Sequence, residues 1–163
     1  MLSYVDMFEY FKKARARLVE AFEKMPNQEF TKSRGLSFDS IKDVFVHTVM
    51  VEDNWLHYRY AGLGPGTSRK FQDFMNIEDV KKYMAEVDAK TSKLFSRITN
   101  QDLRKTFTRS LPNGKEEILE LEQVLYHIPF EVIYHYGEMF AEFWKMNIDA
   151  PYYSFLAYLR EKA

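Results

Sequence analysis

The sequence predicts an all-α protein, a four-helix bundle with a short fifth helix at its C-terminal end. Two observations lead there. Apolar side chains recur at three- and four-residue steps over four long stretches, and breaker residues separate those stretches cleanly. Four amphipathic helices joined by short breaks must bury their stripes against one another, which is the packing of a bundle. The chain has 163 residues, 46% of them apolar or aromatic, with no self-similar period and no linker rich in Pro, Gly or Ser, so one domain over residues 1–163 is expected.

Ser3 can cap the first helix, in which Val5, Phe8, Phe11, Ala14 or Arg15, Leu18, Phe22 and Met25 form one stripe until Pro26-Asn27 stops it. The second helix starts near Ser37 to Ser40 and runs to Ala61, where Gly62, Gly64, Pro65 and Gly66 break it. Its middle, VFVHTVMV from Val44 to Val51, is apolar nearly all round and predicts a helix packed on more than one side. The loop from Gly62 to Asn76 is long enough to cross an end of the bundle, which admits an up-down-down-up order. Asn76 caps a third helix whose stripe is Val80, Tyr83 or Met84, Val87, Thr91, Leu94 or Phe95 and Ile98. Between Asn100 and Glu120 the helical period fades, and TFTRSL, PNG and KEEIL read as a small hairpin. A fourth helix from about Glu120 to Met146 carries Leu121, Leu125, Ile128, Val132, His135, Met139 and Phe143, with Pro129 inside it. Pro151 suits the first turn of the final short helix.

Composition narrows the chemistry. There is no Cys, which excludes disulfides, thiolate zinc sites, iron–sulfur clusters and a protein-borne thiol nucleophile, so any metal must be held by nitrogen and oxygen. A formal net charge of -1 lacks the cationic excess of a nucleic-acid binder. No apolar run reaches the length of a membrane span, and a soluble cytoplasmic protein without nucleic-acid or membrane partners is the expectation. The chain has no G-x-S-x-G elbow, phosphate-cradling glycine loop, dinucleotide fingerprint or H-E-x-x-H. Val132, three residues before His135, also breaks the Glu-x-x-His pattern of a di-iron bundle.

Three of the four histidines lie on strongly apolar helices. Glu131 and His135 are four residues apart on one face of the fourth helix, and His127 lies four residues before Glu131. A carboxylate and an imidazole at this spacing can chelate one ion, and His47, midway along the second helix, is the natural third ligand of a half-shell with open positions. Taken alone, an imidazole in an apolar helix is more often a core residue bonded to a neighbour. Chance (i, i+4) pairs are also common. Together, a metal would satisfy all three buried polar groups at once. Glu52 either accepts from a ligating imidazole or makes a helix-to-helix hydrogen bond, the structural role being favoured. His57, in HYRY, reads as a surface residue, and Lys12, Lys13, Arg15 and Arg17 read as a solvated helix face.

These segments resemble the DinB/YfiT-like superfamily of metal-dependent four-helix proteins over most of the chain. IKDVFVHTVMVEDNWL is similar to the family's second-helix signature, a metal-binding His, then an acidic residue, then Trp, here His47, Glu52 and Trp55. HIPFEVIYHYGEM is similar to the fourth-helix signature H-x-x-x-H followed by Gly-Gln: His135 matches the second His and Gly137-Glu138 the Gly-Gln, while Glu131 falls where the first His usually stands. The usual three-His site thus becomes two His and a carboxylate, or has lost its metal; a carboxylate is a competent ligand, and the site is kept. His127 and Glu138 take supporting places beside it. The resemblance implies an up-down-down-up bundle, a homodimer, and a divalent ion such as nickel, zinc or iron held by His47, Glu131 and His135. Characterised relatives include S-transferases and an isomerase that use a low-molecular-weight thiol.

Two functions of different class follow. The first is a divalent-metal-dependent enzyme, a transferase or hydrolase that activates water or an external small thiol for an unidentified small-molecule substrate, with no catalytic residue assigned beyond the ligands. The second is a non-catalytic, dimeric small-ligand-binding or stress-related protein whose histidines are structural. The aromatic content, 17%, suits a ligand pocket equally well.

Overall fold

The computed structural model describes residues 3–163. Six α-helices build a helical bundle. They are α1 (Tyr4–Lys24), α2 (Asn27–Thr31), α3 (Ile41–Glu52), α4 (Ile77–Phe95), α5 (Leu121–Lys145) and α6 (Phe155–Lys162). One antiparallel hairpin, β1 (Thr106–Ser110) with β2 (Glu116–Glu120), stands before α5. The cap signals act as expected. Ser3 and Asp6 form a capping box on α1, Ser40 accepts from the backbone N–H of Asp43 on α3, and Asn76 accepts from that of Asp79 on α4. Each side chain satisfies a donor that the first helical turn leaves without a partner.

α3 is the central element. Ten of its twelve residues are buried, and it packs against α5, α4 and α2, which is why its sequence is apolar nearly all round. α1 closes the bundle by packing on α4 and α5. Leu18 and Phe22 of α1, Phe45 of α3 and Phe143 of α5 meet in the core, where Phe22 touches the rings of Phe30, Phe45 and Phe143. The hairpin takes the register Thr106 with Glu120 through Ser110 with Glu116, and Gly114 turns it at φ +78°. Phe107 of β1 sets the hairpin edge-on against Tyr60.

Several sequence expectations change. The second predicted helix does not stay α-helical to Ala61: after Glu52 it widens into a π turn over Asp53–Tyr60. That change of pitch turns Asp53, Trp55, Leu56 and His57 inward together. His57 is therefore buried, at 4% exposure, where the sequence suggests a surface residue. Arg15 is likewise buried at 6%, paired with Glu52 and Asp88, and does not belong to a solvated face. A short helix, α2, follows Pro26 directly. The final helix begins at Phe155, not at Pro151, because the preceding residues are held extended: the Tyr153 carbonyl accepts from the Tyr10 hydroxyl at 2.7 Å and the buried Tyr153 ring stacks on Tyr10. Among the described residues no helix is long and apolar enough to cross a membrane.

Candidate metal centre

The centre is assembled from α3, α5 and the turn that precedes α3. On α5, Glu131 and His135 are one turn apart and share a face. Opposite them, α3 presents His47, whose Nε2 lies 3.3 Å from Glu131 Oε1. The His47 and His135 rings meet edge to face with centroids 4.8 Å apart. One donor atom from each of His47, Glu131 and His135 lies within 4.8 Å of the other two, and all three side chains are partly buried. His47, 84 positions before Glu131 in the chain, is thus brought to the Glu131–His135 pair by the packing of α3 on α5.

The residues around them fix their orientation. The Glu131 carboxylate is spanned by two imidazoles, since its Oε2 lies 2.7 Å from His127 Nε2. The hydrogen bond with His47 holds the Glu131 carboxyl below its usual range, against the opposing push of burial, with help from the neighbouring His127. Glu138 lies 3.3 Å from His135 Nδ1 and accepts from Ser37 twice, from the backbone N–H at 2.6 Å and from the hydroxyl at 2.7 Å. Burial pushes the Glu138 carboxyl up, but the Ser37 and His135 hydrogen bonds outweigh it and its pKa is lowered. An anionic Glu138 favours a proton on His135 Nδ1, which leaves the Nε2 lone pair for a ligand.

The turn before α3 brings two groups that sequence reasoning missed. Phe38 stacks on His47, with centroids 3.9 Å apart and planes 21° from parallel, and lies 5.6 Å from His135. Ser37 clamps Glu138. Both are placed by a tight turn in which Asp39 closes backbone hydrogen bonds with Arg34 and Leu36, with Gly35 at φ +65° and Asp39 at φ +72°. The one sequence signal was Gly35 followed four residues later by Asp39, two residue types that tolerate positive φ. Beyond His127, Trp55 meets its ring edge to face at 5.1 Å, and the guanidinium groups of Arg59 and Arg109 lie over Trp55 at 4.5 and 4.8 Å.

Glu52 stands apart from this group. Its carboxylate accepts from Arg15 of α1 at 3.3 Å and from the Thr91 hydroxyl of α4, so it ties three helices together.

The donor set suits a first-row divalent ion. At metal–ligand lengths of about 2.1 Å, adjacent donors in octahedral or tetrahedral coordination lie about 3.0–3.4 Å apart, and the His47–Glu131 separation of 3.3 Å falls in that interval. The widest separation, up to 4.8 Å, would close by about 1.4 Å or more to bring those donors into the same interval. Three protein donors of nitrogen and oxygen leave positions open for a further ligand.

The family model described as the DinB family matches residues 1–144, which takes in α1 through almost all of α5 and every residue of the centre. No curated protein matches the chain.

Proposed function

The chain belongs to the DinB family, and from that membership and the convergence of α3 and α5 we propose that it is a divalent-metal-dependent enzyme, with His47, Glu131 and His135 as the ligands. The single observation behind this is the mutual approach of those three donor atoms from two helices. When bound, a divalent ion at such a site lowers the pKa of water or of an external thiol and polarises a substrate oxygen, the chemistry of a hydrolase or a transferase. With no Cys in the chain, a thiol co-substrate would have to come from solution. Glu138 orients His135 through Nδ1, His127 steadies Glu131 from the side away from His47, and Phe38 covers one face of His47. Nickel, zinc and iron all accept two imidazoles and a carboxylate, and the donor set does not choose among them.

Loading the purified protein separately with zinc, nickel and iron(II), followed by elemental analysis and a melting scan, tests the reading. One equivalent of metal and a raised melting temperature are expected, because an ion bound only by the folded chain stabilises it by mass action. His135→Ala should abolish both. Absence of stoichiometric metal, with an unshifted melting curve, would support the other class of function, in which the His47–Glu131 and His127–Glu131 contacts are simply structural hydrogen bonds. For the homodimer that this reading includes, we propose the face of α5 where Tyr126, Phe130, Ile133 and Tyr134 lie exposed beside His127 and Glu131.

A further inference from the structure

A cavity lies on the other side of the same two helices from the metal centre. It measures about 390 Å³ and is enclosed by α1, α3, α4 and α5, with none of the metal-centre residues in its wall. The helices separate the two spaces by one step of the chain. His47 faces the centre while the next residue, Thr48, faces the cavity, and the pairs Glu131–Val132 and His135–Tyr136 divide in the same way. Its size is within the range of small-molecule pockets, about 300–1,000 Å³.

The wall has an aromatic, apolar part and a polar part. Phe8, Phe11 and Phe95 supply the first. Arg15, Glu52, Asp88 and Thr91 supply the second, joined to one another: Arg15 pairs with Glu52 and with Asp88, and the Thr91 hydroxyl donates to Glu52 while facing His57 Nε2 at 3.1 Å. The exposed lining residues Glu9, Lys12 and Ser92 put the mouth between α1 and α4.

Two donors are left over. Tyr136 is 4% exposed, yet among the described residues nothing hydrogen-bonds its hydroxyl, although buried tyrosines ordinarily find a partner. A phenol is protonated at neutral pH, so the hydroxyl is a donor there. Arg15 also retains a buried Nε–H without a partner. The guanidinium charge, however, is already met by two carboxylates, and a bound anion would be repelled by both.

We propose that this cavity binds a small, uncharged, largely apolar molecule that carries an oxygen acceptor, such as an aryl ketone, with the Tyr136 hydroxyl donating to that oxygen. The aromatic wall takes the ring and the paired charges reject acids of the same shape. This site shares no residue with the metal centre.

Calorimetric titration of the intact protein with methyl naphthyl ketone, and with naphthoate as its anionic counterpart, tests the assignment. The expected result is saturable one-to-one binding of the ketone, with naphthoate roughly tenfold weaker or worse. Tyr136→Phe should weaken the ketone about fivefold, the ordinary effect of one lost hydrogen bond. Val5→Trp, at the half-buried N-terminal end of α1, should block binding, with circular dichroism confirming that the variant is folded. No saturable binding of the ketone, binding unchanged in both variants, or naphthoate binding as tightly as the ketone would each overturn the proposal.

Discussion

Glu131 shows how a carboxylate can stand where an imidazole is usual. It is held by His47 on one side and His127 on the other, and the hydrogen bond with His47 keeps it ionised despite partial burial, so the site retains a charged oxygen donor at neutral pH. His57 is the opposite case, an imidazole kept neutral. Burial pushes its pKa down to about 4, and its Nε2 faces the Thr91 hydroxyl. Between roughly pH 6.5 and 4 the unfolded chain takes up a proton there that the folded chain refuses, so the folded state loses stability as pH falls through that window. A series of urea midpoints from pH 7 to 4 should therefore fall more steeply for the wild type than for His57→Gln. Equal slopes would remove His57 as the cause. At this scale the sequence was a poor guide to burial: HYRY looks exposed because each residue is polar, and only the π turn puts His57 inside.

The elements were more legible than the residues. The starts of α1 after Ser3 and α4 after Asn76 followed from cap chemistry, those of α3 and α5 from apolar spacing, and the hairpin followed from the fading of that spacing around Pro112-Asn113-Gly114. These signals are local, and the side chains that carry them act on backbone groups a few residues away. The turn from Arg34 to Asp39 was not legible, because its purpose is to reach α5, more than a hundred residues further on. Gly35→Ala tests that element: nothing crowds the new methyl group, so the cost is that of a positive φ, about 1 kcal/mol. Denaturant titration should show that loss together with a smaller metal-induced rise in melting temperature, since the Ser37 clamp on Glu138 is loosened. A metal response equal to that of the wild type would separate the turn from the centre.

Across the whole molecule, charged groups inside the bundle decide how the helices sit. Arg15 of α1 reaches Glu52 of α3 and Asp88 of α4, and Asp53, at 1% exposure, accepts from the Tyr83 hydroxyl at 2.8 Å and pairs with Lys90. Removing one partner of a buried pair leaves an uncompensated charge. Arg15→Met should destabilise the protein by about 3 kcal/mol, and Glu52→Gln in the same chain should recover part of it. Equilibrium unfolding of the single and double variants measures both, and a single variant within about 0.5 kcal/mol of wild type would show that the pair contributes nothing to stability.

Taken by itself, the sequence determined the helical class, the starts of the four long helices near Ser3, Ser40, Asn76 and Glu120, the absence of a protein-borne thiol, and the three candidate ligands His47, Glu131 and His135. Periodicity, capping and composition are local properties, and a ligand pair one turn apart is written in its spacing. Only the tertiary structure decided that His47 meets that pair, that Ser37 and Phe38 brace it, that Glu52 turns away to Arg15 and Thr91, and that a cavity lies behind the centre. Each of these depends on the rotation of one helix against another, which the packing of the whole core sets and no short stretch of chain encodes.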